Sequence, residues 1–282
     1  MSAPAVPVRP ATAEADPIDV LLAEGRERHH AGALTASAAF GRRALLKIKH
    51  DPKQLVDATA IPILLTVLFT YLFGGAISGS TSEYLKALLP GVLGMSISIV
   101  TMYGGARLAQ DMQTGAFDRF RGLPVWRGAF VFGGLLSDAG RYLFASTIVV
   151  GLGLLMGYRP DGGVVGVLAA VCLVIAFGVA LSLVWSMLAL VVRDPAVVLS
   201  IANAVLMPLS FASNIFVTPT TMPGWLQAFV DVNPLSHLAT AARDLMNDTG
   251  DAGGAVLWSL AATALIVLVC APVTLRLYSK QG

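Results

Sequence analysis

The chain sets long, unbroken apolar runs against short polar connections, without the sustained apolar and polar alternation of half-buried strands. Six runs stand out, at about 55–77, 88–106, 130–158, 164–192, 196–217 and 255–275. A helix rising about 1.5 Å per residue needs about 20 apolar residues to cross a hydrocarbon core of about 30 Å, and each run is long enough. Only helices and closed barrels satisfy their backbone inside lipid, and barrel strands would alternate. The pattern predicts an all-α polytopic membrane protein with six transmembrane helices.

The connections carry a second pattern. Phe40, Ala44, Leu45 and Ile48 fall on one helical arc while Arg42, Arg43, Lys47 and Lys49 fill most of the rest. This predicts either an amphipathic elbow helix in the membrane surface or a basic flank that fixes topology, ended by Asp51-Pro52. In the connection 107–127, Phe117, Phe120 and Leu123 form a short ridge beside Asp118, Arg119 and Arg121. About two turns of helix are marginal alone in water, so the ridge docks on a partner or dips its aromatics into headgroups. Between 218 and 254, Met222-Pro223 opens a short helix with Trp225, Leu226, Phe229 and Val230 on one face. Asn233-Pro234 then supplies an N-cap and first residue for a helix over 235–247. Leu235, Leu238, Ala242, Leu245 and Met246 line one side of it, and Thr240, Arg243, Asp244 and Asn247 the other. Both helices are too short to span, which predicts a re-entrant or lipid-skimming cap.

Composition agrees with this picture. Of 282 residues, 56% are apolar and 13% charged, where a soluble domain carries about 25% charged residues. A secreted disulfide scaffold, a basic nucleic-acid-binding domain and a disordered regulator are excluded. The net charge of +2 says less than its distribution. With the N-terminus inside, Arg42, Arg43, Lys47, Lys49, Lys53, Arg107, Arg119, Arg121, Arg127, Arg193, Arg276 and Lys280 lie on the cytoplasmic side, against Lys86, Arg159 and Arg243 outside. Both termini are therefore expected in the cytoplasm, with the chain in the inner (plasma) membrane. Residues 1–35 read as an Ala/Pro-rich disordered tail with neither a signal-peptide core nor transit-peptide chemistry, and 36–282 as the six-span transmembrane domain.

Polar residues inside the runs are the candidates for function. Asp138 and Arg141, three apart on one helix face, form a structural pair or a gating pair. Asp57, near the inner end of the first run, needs no catalytic role. Met95, Ser98 and Met102 in the second run, with Asn203, Met207, Ser210 and Asn214 in the fifth, could line a route for an amphipathic molecule, or simply hydrogen-bond and fill gaps between helices. Pro208 is expected to bend or interrupt the fifth helix, and Gly153 with Gly157 gives a GxxxG that favours close packing. No phosphate-binding G-x-x-x-x-G-K-[ST], H-E-x-x-H or Cys/His cluster occurs, and Cys172 and Cys270 sit inside apolar runs. On the residues alone, an exporter and an ion-gradient-driven secondary transporter both remain, and a membrane enzyme has no constellation to support it.

The order of these pieces resembles the ABC-2 type permeases, and most closely the daunorubicin-resistance-type exporter subunits. The likeness covers about 36–280 and rests on Thr114-Gly115-Ala116-Phe117-Asp118-Arg119-Phe120 with Leu123-Pro124. It rests also on Ser213-Asn214-Ile215-Phe216-Val217, Met222-Pro223-Gly224-Trp225-Leu226, Asn233-Pro234-Leu235-Ser236 and Arg243. The resemblance implies a half-transporter in which two permeases, alike or different, join two separate ATPase subunits that carry ATP and Mg; no cofactor is expected on this chain. It implies that Thr114, Gly115, Phe117, Asp118, Arg119 and Phe120 form a coupling helix seated on the ATPase, Asp118 standing where the family often has glutamate. The implied cargo is a drug-like natural product or a lipid, moved outward. Membrane lipid is the other partner, and nucleic acid is not one.

Overall fold

The computed structural model describes residues 53–114, 129–249 and 252–280. All regular structure there is helical: α1 (Lys53–Ser78), α2 (Thr81–Gln113), α3 (Ala129–Leu155), α4 (Gly163–Val192), α5 (Pro195–Phe211), a short 3-10 turn (Pro219–Thr221), α6 (Gly224–Val232), α7 (Pro234–Asn247) and α8 (Ala252–Lys280). The predicted elbow helix and the segment from Gly115 to Phe120 lie outside the described residues.

Five of these helices are long and apolar enough to cross a membrane: α1, α2, α3, α4 and α8. The chain is an all-α polytopic membrane protein. The fifth predicted span, 196–217, resolves instead into the 17-residue α5 and an irregular turn. Pro208 lies in the last turn of α5, where its missing N–H leaves the Ala204 carbonyl without a helical donor, and the helix stops three residues later. Tight caps join α4 to α5: Arg193 takes a left-handed conformation at the end of α4, and the Asp194 carboxylate accepts from the amides of Ala196 and Val197 at 2.8 and 3.3 Å.

Burial is arranged for lipid rather than for water. α1 turns Thr59, Pro62, Thr66, Thr70 and Gly74 inward while Ile61, Leu64, Leu68, Tyr71 and Leu72 face out. α8 does the same, burying Ser259, Cys270 and Thr274 and exposing Leu257, Leu265 and Leu268. Lipid tails are as apolar as leucine, so burying leucine gains little there, whereas small and hydroxylated residues let backbones approach and bond. The Thr66 hydroxyl, for example, donates to the Pro62 carbonyl at 2.7 Å.

α2 occupies the centre, against α1, α3, α4, α5 and α7. Its 33 residues extend about 50 Å, well beyond a hydrocarbon core of about 30 Å. It begins at the Ser80 N-cap, whose hydroxyl accepts from Glu83 N at 3.2 Å, and runs past Arg107, read above as the start of a loop. α7 lies against α2, α4 and α8, burying Leu235, Leu238, Ala239, Ala242 and Met246.

The predicted GxxxG is only half a packing motif. Gly153 faces Leu89 so closely that a Cβ would collide with it. Gly157, at φ 95°, instead ends α3 in a Schellman turn, with Tyr158 N bonded to Gly153 O at 2.8 Å. The closest small-residue approach lies further on, where Gly162 and Gly166 meet the Leu245 carbonyl of α7 with no room for a Cβ.

Candidate functional site

Two polar clusters fasten α2 to its neighbours, one toward each end. Toward the C-terminal end, the Arg107 guanidinium donates to Asp138 Oδ1 at 2.8 Å, and Arg141 donates to the same oxygen at 2.8 Å and to Ser137 Oγ at 2.9 Å. The predicted Asp138–Arg141 pair is thus present as part of a triad that ties α3 to α2. Arg107 was missed because the apolar run ends before it, although the helix does not. Side chains here are 12–20% exposed. Two cations on one carboxylate leave the cluster positive, and Arg141 Nε is buried without a partner among the described residues. Gly104 makes room for the carboxylate: a Cβ on it would stand 2.9 Å from Asp138 Oδ2. Beside it Gly105 lies against Trp185 of α4, whose indole donates to Thr101 Oγ1 at 2.9 Å.

The cluster toward the N-terminal end is made from the side of α7 that carries Thr240, Arg243 and Asn247. These three point into the protein; a polar helix face need not face water when backbone carbonyls can receive it. Pro90 explains what receives it. Having no N–H, it leaves the Lys86 carbonyl four residues back without a helical donor, and Asn247 Nδ2 donates to that carbonyl at 2.9 Å. Arg243 Nε donates to the next carbonyl, Ala87 O, at 2.9 Å, and Arg243 Nη2 to Asn214 O at 3.1 Å. Burial holds the Arg243 guanidinium below its ordinary pKa, partly offset by the neighbouring Asp244 charge. Asn247 Oδ1 accepts from the Tyr158 hydroxyl at 2.7 Å, and Lys86 Nζ reaches Asp161 at 2.9 Å. Burial, then the Asp161 charge, pushes the Tyr158 phenol up.

Asn233 clips this cap to α5. Its Oδ1 accepts from Leu235 N at 2.9 Å, the predicted N-cap, while its Nδ2 donates to the terminal carbonyls of α5, Leu209 O at 2.7 Å and Ala212 O at 3.0 Å. The predicted face of α6 divides: Val230 is buried, whereas Trp225 and Phe229 are exposed at 74% and 42%.

The route candidates fall on two helices that pack together. Met95, Ser98 and Met102 are buried within α2, and the Ser98 hydroxyl bonds back to Gly94 O at 2.9 Å. On α5, Ser210 is buried, Asn203 and Met207 are half-buried, and the Asn203 amide bonds to Leu199 O at 3.0 Å. Asn214 follows α5, donating to Thr240 Oγ1 at 2.7 Å with its own Oδ1 unpartnered among the described residues. Of the predicted coupling residues only Thr114 is described: it caps α2, its hydroxyl on Gln110 O at 3.1 Å. Among the described residues no group of His, Cys, Asp and Glu is arranged to hold a metal ion.

With this geometry in hand, the chain can be set beside known proteins. The profile of the ABC-2 type transporter family matches residues 36–247. The daunorubicin resistance ABC transporter permease protein DrrB1 of Streptomyces coeruleorubidus is 44% identical over 266 residues, covering 93% of this chain and 92% of that protein. A doxorubicin resistance ABC transporter permease protein, DrrB of Mycobacterium tuberculosis, is 26% identical over 234 residues, or 80% of this chain and 81% of its own length.

Proposed function

The chain belongs to the ABC-2 type transporter family, and on that premise we propose how its geometry serves export. It is the permease subunit of an ABC exporter that moves a hydrophobic or amphipathic compound. We read ATP and Mg as acting on a separate ATPase dimer, engaged by the segment Thr114, Gly115, Phe117, Asp118, Arg119 and Phe120. The observation that carries this reading is α2: one continuous helix joins the α7 cap to the residue where that segment starts, and Arg107 ties it to α3, the helix that follows the segment. A push on the segment is therefore delivered to two helices at once.

In this reading α5 is the sixth span, about 25 Å long by itself and completed by the turn after it. The lysine and arginine distribution puts both termini in the cytoplasm and the cap outside, in the inner membrane. A second permease copy or lipid covers the exposed apolar stripe Val197, Ile201, Val205 and Phe211 of α5. The route past Met95, Ser98, Met102, Asn203, Met207, Ser210 and Asn214 opens only when α2 and α5 part, since the α2 members are enclosed in the single chain. The relatives' names point to a drug-like, anthracycline-type cargo; an exported lipid fits the same apolar route.

Alanine at both Phe117 and Asp118 tests the coupling role. Membrane insertion and abundance should persist while ATP-dependent efflux by the co-expressed transporter is lost. Efflux at the wild-type rate would remove the assignment.

A further inference from the structure

α2 and α3 flank the proposed coupling segment, and they are fastened to each other twice. The Arg107–Asp138–Arg141 triad is one fastening. The other lies at the opposite end of α2, where a single amide, Asn247, makes the bridge. Its Nδ2 donates to Lys86 O on α2 and its Oδ1 accepts from Tyr158, the residue that closes the turn ending α3. Asn247 is itself the last residue of α7. The bridge is supported on both sides. The Lys86 side chain pairs with Asp161 in the turn after α3, and Gly162 N donates to Met246 O at 2.9 Å.

Pro90 makes this amide more than a packing detail. An ordinary helical residue there would donate to Lys86 O and make the Asn247 bond a second, dispensable one, as Arg243 makes to Ala87 O. The proline withdraws that donor, so the end of α2 is completed only by α7. Arg243 then adds a hydrogen bond to the adjacent carbonyl, which fixes α7 in register along α2 as well as in contact with it.

We propose that Asn247 is a positioning residue for transport, locking α2, the end of α3 and the cap helix α7 into one lever, so that motor displacement of α2 moves α7 by the same amount. This inference rests on the reading that the segment after α2 engages the ATPase. It assigns the cap to the moving part of the permease rather than to a fixed lid.

Spin labels on cysteines at the exposed positions Glu83 and Thr249 measure the separation of α2 and α7, in the permease reconstituted with its ATPase partner in phospholipid vesicles. A second pair, Glu83 with Thr220 beyond α5, reports whether α2 parts from the end of α5. Between the nucleotide-free and ATP-trapped states, the Glu83–Thr220 distance should shift and the Glu83–Thr249 distance should not. In Asn247→Ala the Glu83–Thr249 distance should become state-dependent. Adding Pro90→Ala gives Lys86 O a backbone donor but leaves the Tyr158 hydroxyl without its acceptor, so the double variant should regain part of the thermal stability lost in Asn247→Ala yet keep the state-dependent distance. A wild-type Glu83–Thr249 distance that changes between states overturns the lever. So does an invariant distance in Asn247→Ala, or one that Pro90→Ala restores, which would reduce Asn247 to a carbonyl partner. If the Glu83–Thr220 distance stays constant as well, α2 does not part from α5 with ATP; the coupling reading, which needs that parting to open the route, then fails, and the lever with it.

Discussion

The two ends of α2 are fastened by different chemistry. Toward its C-terminal end, two guanidiniums share one carboxylate oxygen, so side chains hold side chains and charge does the holding. Toward its N-terminal end, an arginine and an asparagine donate to backbone carbonyls, so position does the holding. A link between flexible charged side chains can survive small shifts of the helices that carry it. A link to consecutive carbonyls cannot slide. The contrast suits a helix that receives displacement at one end and must deliver it without slack at the other.

The contrast can be broken from either side. Asp138→Ala should have the largest effect, since it leaves two part-buried guanidiniums without a counter-charge; breaking a fully buried ionic cluster costs about 3–5 kcal/mol, and a value toward the lower end is expected here. Thermal unfolding in detergent would show it, and Asp138→Asn should do nearly as much harm because it also removes the charge. Arg243→Ala comes next, at about 2–4 kcal/mol, since it removes two charge-assisted hydrogen bonds, to Ala87 O and to Asn214 O. Here Lys should rescue little: one ammonium keeps the charge but cannot serve Ala87 O and Asn214 O together. If Arg243→Lys proved as stable as wild type, the distinction between a charge link and a position link would be lost. Gly166→Ala should cost about 1–3 kcal/mol by forcing α7 off the start of α4. Trp185→Phe removes one hydrogen bond to Thr101 while keeping an aromatic ring, and about 1 kcal/mol is expected. Lys86→Met should matter least, because the pair with Asp161 is partly exposed and salt weakens it; the same unfolding assay at low and high ionic strength checks this.

What the sequence discloses follows the range of the interactions involved. The cap of α7 was legible because Asn233-Pro234 is a local signal: the side chain bonds two residues on, whatever the rest of the chain does. The spanning runs were legible for the same reason, since about 20 apolar residues need no partner to be recognised. The direction of Thr240, Arg243 and Asn247 was not. An amphipathic reading sends polar groups to water, and only the proline 157 residues before Asn247 reveals that a carbonyl awaits a donor. Arg107 escaped because the end of an apolar run is not the end of a helix: a cation can continue inward if a carboxylate meets it. α5 came out shorter than its apolar run because the run continues through a turn whose carbonyls Asn233 covers, and hydropathy does not register that.

Lys86 and Asn247 are 161 residues apart in the chain, and that spacing bears on how the protein is made. A ribosome feeding the membrane delivers α2 early, with a proline-opened carbonyl near one end. The asparagine that closes the carbonyl emerges only after α3, α4, α5, the 3-10 turn, α6 and the rest of α7 have passed. Until then α2 is an incomplete helix, and its satisfaction is a late event of biosynthesis. A chain truncated before residue 247 would contain most of its membrane helices and still lack the group that finishes the second, which gives quality-control proteases a defined feature by which an unfinished permease differs from a finished one.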